Sequence, residues 1–269
     1  MRVIAHVSDL HFNRVDRVVA EALVHDLHAR KPSLTVISGD LTQRALHRQF
    51  RAARAYLDRL PRPQIVVPGN HDIPLHNPLV RYLMPLARYQ KHITEDLAPC
   101  HMDDEIAVVG LNTARASLWT AGRIALEQIA HVRNLFCALP QHIFKVMVTH
   151  HPFIPPPEWP KKTVVGRALQ TLVALELCGM ELLLAGHLHL GYTGDARAFW
   201  TPVKKSILVV QAGTAISTRK RGEPNNYNVI TIDLPNVVFE LRAWDGKEFV
   251  PVKVTRYVKV ANDWNRVEV

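Results

Sequence analysis

Five short polar clusters in this sequence combine carboxylates, imidazoles and one carboxamide. They are Asp9-Leu10-His11, Gly39-Asp40, Gly69-Asn70-His71-Asp72, His150-His151 and Gly186-His187-Leu188-His189. Ligands of these types, without a thiolate, favour divalent metals such as Mn²⁺, Fe, Co²⁺ or Zn²⁺. Seven candidate ligands are too many for one four-coordinate ion, but they suit two ions about 3.5–4 Å apart that share a carboxylate and a hydroxide. The residue types therefore predict a binuclear metal centre.

The spacing within the clusters supports shared sites. Residues i and i+2 of an extended chain project to the same side, so Asp9 with His11, and His187 with His189, are each expected to face one site. Consecutive extended residues face opposite ways, so only one of His150 and His151 is expected to face the metals. Pro152 favours extended backbone at His151 but does not decide between the two. His151 is then a residue on the substrate side, a support for the ligands, or a spacer.

Each cluster stands at the C-terminal end of a predicted β-strand, which is the edge where open α/β sheets bind ligands. Apolar runs predict the first six strands, and apolar residues at helical spacing predict helices between them. This alternation favours a parallel sheet with crossover helices. The predicted strands are residues 2–7, 33–38, 64–68, 105–112, 143–149 and 181–186. The predicted helices are about 16–30, 43–60, 123–138 and 164–177.

The pattern changes at two places along the chain. Residues 75–99 are expected to form helical pieces interrupted by prolines. After residue 190, apolar runs separated by turn signals leave no room for helices and predict antiparallel strands. We therefore expect an α/β protein with two face-to-face sheets and helices outside. No linker divides the sequence, so residues 1–269 are expected to form a single domain, with about 258–269 as a terminal extension.

The composition excludes some classes of protein. The 269 residues are 48% hydrophobic, which provides a full core, and no apolar run is long enough to cross a bilayer. The N-terminus has no secretory signal, and the three cysteines have no metal-type spacing. We therefore expect reduced thiols and a cytoplasmic location. The net charge of +9 favours anionic partners, although the basic residues are spread along the chain.

Taken together, the clusters resemble the calcineurin-like metallophosphoesterases over roughly residues 3 to 190. The segments "SGDLTQRA" and "VVPGNHDIP" most resemble the bacterial branch of cyclic-AMP-phosphodiesterase-like enzymes, the class III cyclic nucleotide phosphodiesterases. The resemblance implies a four-layer α/β/β/α sandwich with two mixed sheets and flanking helices. It also implies a hydrolase that cleaves phosphodiester bonds through a metal-bridging hydroxide.

The resemblance assigns a role to each cluster. It implies that one metal is bound by Asp9, His11, Asp40 and His189. It implies that the second is bound by Asp40, Asn70, His150 and His187, with Asp40 as the bridge. His71 would bind no metal, but would donate to the phosphoryl group and protonate the leaving oxygen. An imidazole with an ordinary pKa near ~6.5 is suited to that proton transfer.

Other side chains have two interpretations each. The segment "STRKRGEPNNYN" (217–228) carries Arg219 and Arg221, which would bring charge to the substrate or belong to a solvated turn. Arg44 is a further candidate phosphate contact, and the Trp-containing segment 154–162 is a candidate rim of the cleft. Asp72 is expected to anchor its turn, and His6 to be a core histidine.

The substrate class has several rivals. Small anionic diesters, such as cyclic nucleotides or glycerophosphodiesters, fit the branch that the motifs resemble. A nuclease fits the net charge, but the basic residues are not clustered and no aromatic groove that would follow a strand is evident. Lipid-precursor pyrophosphohydrolases depart from histidine at the position of His71, and phosphoprotein phosphatases carry Asp-Arg-Gly where this chain has Leu41 onwards. A non-catalytic scaffold on this fold would lack part of the metal set. The oligomeric state and the native metal pair stay open.

Overall fold

The structure is a computed structural model, and it describes residues 1–261 and 263–267. Its strands are β1 Arg2–Val7, β2 Leu34–Ile37, β3 Gln64–Val66, β4 Cys100–Met102, β5 Ile106–Gly110, β6 Phe144–Val148, β7 Met180–Ala185, β8 Tyr192–Asp195, β9 Leu208–Gln211, β10 Asn226–Asp233, β11 Asn236–Trp244, β12 Phe249–Val260 and β13 Asp263–Val267. Its helices are α1 Arg17–Arg30, α2 His47–Leu57, α3 Pro78–Leu83, α4 Ala87–His92, α5 Leu126–Ala138, α6 Ala168–Glu176 and α7 Ala196–Phe199.

The strands form two mixed sheets. The seven-stranded sheet has the order β13-β12-β11-β10-β1-β2-β3, in which β1, β2 and β3 are parallel and the later strands antiparallel. The six-stranded sheet has the order β4-β5-β6-β7-β9-β8, with a parallel centre and one antiparallel strand at each edge. The predicted alternation of strands and helices is confirmed, but its parallel strands are divided between the two sheets.

The two sheets pack face to face, with helices on their outer faces. Alternate residues of each strand point in opposite directions, so Ile4 lies in the core between the sheets while its neighbour Ala5 packs towards α1 and α2. In the second sheet, Val146 faces the first sheet and Met147 faces α5 and α6. This confirms the predicted α/β fold with two mixed sheets between flanking helices.

Helix α2 begins at His47, four residues later than predicted. The chain before it is occupied by other contacts, since the backbone N–H of Thr42 donates to Asp72 and the carbonyl of Gln43 lies against His71. Ala45 also has a positive φ of 51°, which an α-helix does not permit. The helical spacing of apolar residues, with arginines between them, therefore extends N-terminal to the first residue of the helix, His47.

The region after residue 190 departs from the prediction in two respects. It contains the short helix α7, and strand β9 pairs parallel to β7. After β7 the chain runs through β8 and α7 before it comes back beside β7. This connection is long enough for β9 to pair parallel to β7. Strands β10 to β13 form antiparallel pairs as predicted.

The stretch from about residue 258, predicted as a terminal extension, includes the end of β12 and the edge strand β13. Trp264 is buried there, with its ring 5.9 Å from that of Phe144 in the opposite sheet. The last two residues lie outside the described part of the chain. The assignment of the whole chain to one domain stays a prediction.

The prediction of three reduced cysteines is wrong for two of them. Cys137, in α5, and Cys178, just after α6, form a disulfide, and Cys100 is free and exposed. The sequence spacing did not indicate this pair because α5 and α6 become neighbours only when both cover the second sheet. The predicted cytoplasmic location loses this part of its support and stays a prediction. None of the described helices is long and apolar enough to cross a membrane.

Candidate metal centre

The carboxyl ends of β1, β2, β3, β6 and β7 meet at one edge of the sandwich. The structure brings all seven predicted metal ligands to this edge, and six of them are buried while His187 is half-buried. The seven are Asp9, His11, Asp40, Asn70, His150, His187 and His189. They come from both sheets, so the packing of one sheet on the other assembles the cluster.

Asp9, His11 and His189 form one half of the cluster. Oδ1 of Asp9 lies 3.5 Å from Nε2 of His11 and 3.4 Å from Nε2 of His189. The two imidazoles stack, with their Nε2 atoms 3.4 Å apart. Three ligand atoms therefore face one small volume, and all three belong to residue types that bind divalent metals.

Hydrogen bonds to the other atoms orient this half. Oδ2 of Asp9 accepts from the hydroxyl of Ser8 and from the backbone N–H of His187. Among the described residues, its buried Oδ1 has no hydrogen-bond partner. Nδ1 of His189 lies 3.0 Å from the carbonyl of Arg219, an acceptor that favours the proton on Nδ1. Nε2 then carries the lone pair, as a metal ligand requires.

Asp40 lies between the two halves. Its Oδ2 is 3.7 Å from Nε2 of His11, and its Oδ1 is 3.3 Å from Nε2 of His150. One buried carboxylate thus presents a different oxygen to each group of imidazoles, an arrangement suited to a carboxylate that binds two ions.

Asn70, His150 and His187 form the other half with Asp40. Nε2 of His150 lies 3.2 Å from Oδ1 of Asn70, and its Nδ1 lies 2.7 Å from the carbonyl of Ser38. That carbonyl favours the proton on Nδ1 and leaves Nε2 directed at the cluster. The ring centroid of His187 is 5.1 Å from that of His150.

The electrostatics of the cluster fit a bound cation. Burial raises the pKa of Asp40, but the nearby His150 and His71 outweigh it and hold this pKa well below its usual range. Burial lowers the pKa of His150, yet the Asp40 carboxylate raises it overall to about 9. Ionised carboxylates removed from water require a compensating positive charge. The unpartnered Oδ1 of Asp9 and the inward-facing imidazole nitrogens show that these residues suit a metal.

The backbone at the cluster differs from the extended form that was expected. The φ angles are 55° at Asp9, 48° at His11, 76° at His187 and 60° at His189. All four residues are in the left-handed region, which is uncommon outside glycine and costs of the order of 1–3 kcal/mol per residue. Asp9 and His11 do converge as predicted, but through these left-handed turns and not through alternation along a strand. His187 and His189, which were expected to face one site, lie in different halves of the cluster.

Gly39 is required by close packing as well as by its own backbone. Its φ is 94°, and a Cβ placed there would lie 2.6 Å from Nδ1 of His150. A side chain at this position would therefore displace His150 from its contact with Asp40.

His71 lies beside the cluster, with its ring edge-on to that of His11 at a centroid distance of 5.0 Å. Its Nδ1 is 3.0 Å from the carbonyl of Gln43, so Nδ1 carries the proton and Nε2 is an acceptor. Nη1 of Arg219 donates to that Nε2 over 2.7 Å. Burial is the main cause that lowers the pKa of His71, against the opposing effect of Asp40. Donating from Nδ1 to Gln43 and accepting at Nε2 from Arg219 corresponds to a ring with one proton, which is the neutral form.

Asp72 points away from the cluster and fixes two loops, as predicted. Its carboxylate accepts from the backbone N–H groups of Leu41, Thr42 and Gly69. Burial and the nearby Asp40 raise the pKa of Asp72 to about 6, although these backbone donors oppose the rise. The carboxylate joins the segment after β2 to the segment after β3.

His151 is the residue that the sequence placed least well. The expectation that only one of His150 and His151 faces the centre is wrong, because the chain bends after β6 and both rings lie at the cluster. Nδ1 of His151 is 2.7 Å from the hydroxyl of Thr113, and its buried Nε2 has no hydrogen-bond partner in the part of the chain that the structure describes. One nitrogen each of His150, His151 and His187 lies within 4.8 Å of the others.

A polar pocket opens over the cluster. Its wall includes the basic side chains Lys162, Arg219 and Arg221. Of the Trp-containing segment 154–162, predicted as a candidate rim, Lys162 lines this pocket. Arg44 lines a neighbouring surface depression and not this pocket.

His6 is buried in β1, where its Nε2 bonds to the hydroxyl of Ser38, in agreement with a core role.

Residues 2–191 match the sequence profile of the family described as calcineurin-like phosphoesterase. The chain belongs to the calcineurin-like phosphoesterase family. Membership indicates a metal-dependent phosphoesterase hydrolase, and it implies a pair of divalent metals at the cluster described above. No curated protein matches this sequence.

Solved structures with the same fold include a dimetal phosphatase from Danio rerio, which is 12% identical and superposes with a TM-score of 0.68 over 94% of this phosphoesterase and 98% of that chain. A purple acid phosphatase from yellow lupin (Lupinus luteus) seeds is 11% identical, with a TM-score of 0.68 over 93% of this chain. This chain spans about half of the lupin protein, 52% of its length. Vps29 from Chaetomium thermophilum is 12% identical, with a TM-score of 0.51 over 96% of this chain and 98% of its own. At these identities the likeness establishes the fold alone.

Proposed function

We propose that this phosphoesterase is a binuclear-metal phosphodiesterase acting on small anionic diesters, such as cyclic nucleotides or glycerophosphodiesters. The observation that carries the proposal is the position of Asp40. Its two oxygens face imidazoles of the two different halves, at 3.3 Å from His150 and 3.7 Å from His11. A buried carboxylate in this position is suited to hold two cations at once.

The ligand sets follow from this division. One ion would be held by Asp9, His11, Asp40 and His189. The other would be held by Asp40, Asn70, His150 and His187. These oxygen and nitrogen ligands suit Mn, Fe, Zn or Co. When bound, such a pair offsets the charge of the phosphate and makes water a better nucleophile towards phosphorus.

His71 would assist the leaving group. Its Nε2 bonds to Arg219 at the pocket, and His71 is in none of the groups of described side chains that could hold a metal ion. A phosphoryl oxygen near this nitrogen favours the protonated imidazole, since an adjacent anion raises the pKa of histidine. A protonated His71 can then donate its Nε2 proton to the leaving oxygen.

The pocket supports a small anionic substrate. Lys162, Arg219 and Arg221 surround the opening with positive charge. The segment "VVPGNHDIP" resembles the cyclic-AMP-phosphodiesterase-like branch, and that resemblance favours a diester. A small anionic substrate is enough to account for the three basic side chains at this pocket, so they do not by themselves favour a nuclease.

A substrate panel tests the proposal. Protein supplemented with Mn²⁺ would be assayed on a phosphomonoester, an aryl phosphodiester, cyclic AMP and single-stranded DNA, with chelator-treated protein as the control. We expect metal-dependent turnover that is fastest on the small diesters. Preference for the monoester would overturn the diesterase assignment, and preference for single-stranded DNA would identify a nuclease.

A further inference from the structure

The segment of residues 217–222, named here the basic loop, carries Arg219, Lys220 and Arg221. From the sequence, this loop was either a contact for substrate or a solvated turn. In the structure, Arg219 is half-buried, and its guanidinium lines the pocket over the metal centre together with Arg221. Lys220, between them in sequence, is exposed.

The backbone of Arg219 is held in place from both directions. Its N–H donates to the hydroxyl of Ser217 at 3.1 Å, and its carbonyl lies 3.0 Å from Nδ1 of the proposed ligand His189. Asn225 fixes the start of the loop, since its side-chain amide donates to the carbonyl of Ser217 at 2.9 Å. The backbone of the loop is therefore anchored to the proposed metal ligand His189, while the guanidinium stays able to turn within the pocket.

The guanidinium of Arg219 has an unusual partner. Its Nη1 donates to Nε2 of the neutral His71 at 2.7 Å. Within the described residues, no carboxylate lies at salt-bridge distance from Arg219. The carboxylates whose charge acts on Arg219, Asp40 and Asp9, belong to the proposed ligand sets, where bound cations would compensate them. A half-buried cation thus faces the pocket without an anion of its own.

We propose that Arg219 binds the phosphoryl group of the substrate directly, through its guanidinium and a non-bridging phosphoryl oxygen. A guanidinium offers several N–H donors in a planar fork that matches two oxygens of a phosphate. When Arg219 turns from His71 to the phosphate, Nε2 of His71 loses this hydrogen-bond donor. The residue thereby couples substrate binding to the release of His71. This inference rests on the proposed function.

Two substitutions of Arg219 and one matched control test the proposal. Arg219→Ala removes the guanidinium, Arg219→Lys keeps the charge without the fork, and Lys220→Ala removes one exposed charge from the same loop. For each Mn²⁺-loaded protein, metal content, the dissociation constant of inorganic phosphate by calorimetry, and KM and kcat on an aryl phosphodiester would be measured.

We expect Arg219→Ala to weaken phosphate binding by roughly 10- to 100-fold, the effect of one lost charge-assisted hydrogen bond. The phosphate affinity of Arg219→Lys should lie between that of Arg219→Ala and that of the unsubstituted protein. Metal content should stay the same, because the contact with His189 uses the carbonyl of residue 219. Free guanidinium should restore part of the turnover of Arg219→Ala, which a purely structural role would not permit.

Three outcomes would overturn the proposal. One is phosphate affinity within about twofold of the original in Arg219→Ala. The second is an equal loss in Lys220→Ala, which would reduce the effect to the net charge of the loop. The third is loss of metal from both Arg219 variants, which would make the residue a support for His189. If the unsubstituted protein hydrolyses no phosphoester, the proposed function fails, and phosphate calorimetry still decides separately whether Arg219 binds the anion.

Discussion

The backbone N–H of His71 donates to Oδ1 of Asp40 over 2.8 Å. The same oxygen lies 3.3 Å from Nε2 of His150. The carboxylate proposed to hold both metals therefore also fixes the backbone of the proposed catalytic histidine. The imidazole of His71 takes no part in that bond. Substitutions at the two positions should consequently have separable effects.

Replacing His71 by alanine should leave the metals bound but remove most of the rate. The backbone bond to Asp40 survives the substitution, whereas the proton donor is lost, which typically costs about 10²–10⁴-fold in turnover. Metal analysis by mass spectrometry and assays on an aryl phosphodiester check this result. Undiminished turnover in the purified variant would contradict the role given to His71.

Replacing Asp40 by alanine should remove both metals and activity. The substitution deletes the oxygens that face the two halves of the cluster and leaves the His71 N–H without its acceptor. The same metal analysis, run beside His71→Ala, provides the comparison. A variant that keeps two equivalents of metal would exclude Asp40 as the bridging ligand.

Asp72 should contribute to stability more than to chemistry. Asp72→Ala leaves three buried backbone N–H groups without an acceptor, which should lower the free energy of unfolding by about 2–4 kcal/mol. Urea unfolding measures this loss. Asp96 is the matched control, since it is exposed and accepts from the N–H of Ala98 alone. Equal losses in Asp72→Ala and Asp96→Ala would contradict the anchoring role.

His6 should make the protein less stable in acid. Burial lowers its pKa from 6.5 to about 3 in the folded state. The unfolded chain therefore binds the proton first, and stability is fully present above 6.5 and lost as the pH falls towards 3. When the pH is lowered from about 7.5 to about 5.5, the free energy of unfolding of the unsubstituted protein should fall by about 1.4 kcal/mol more than that of the His6→Gln variant.

Unfolding of both chelator-treated proteins by urea at the two pH values measures that difference. Other titrating groups are common to the two proteins, so their contributions cancel. Parallel losses in the two proteins would show that His6 does not carry this part of the acid sensitivity.

The disulfide should stabilise the second sheet and its helices. Cys137 and Cys178 are 41 residues apart, and a cross-link of that span typically adds about 2–4 kcal/mol to the free energy of unfolding. The Cys178→Ser variant should have a free energy of unfolding that is lower by this amount. The Cys100→Ser variant should keep nearly the original value, because Cys100 is exposed and unpaired. Peptide mapping without reductant detects the bond directly. A free Cys137 in protein purified under air would contradict it.

The sequence predicted where the site lies better than it predicted how the site is built. The ends of strands can be predicted because apolar runs stop at glycines and polar residues. These strand ends predicted that Asp9, Asp40 and His150 lie at one edge. The left-handed backbone at His11 and His189 has no comparable pattern, since a histidine in the sequence does not indicate a positive φ.

His151 and Arg219 illustrate the same limit. Their positions depend on a bend after β6 and on a loop that hydrogen-bonds to His189, and both contacts join segments distant in sequence. Helix α2 was extended too far because its apolar spacing continues through residues that the Asp72 anchor holds in another conformation. Local periodicity does not contain these tertiary contacts.

The proposed ligands extend from residue 9 to residue 189 and belong to both sheets. No short segment holds a complete set, so the centre forms only after the sheets have packed. Ions that bind the native state stabilise it. Interactions that are absent from the folding transition state mainly slow unfolding and have little effect on the folding rate. Chelation would therefore shorten the lifetime of the folded protein without delaying its formation.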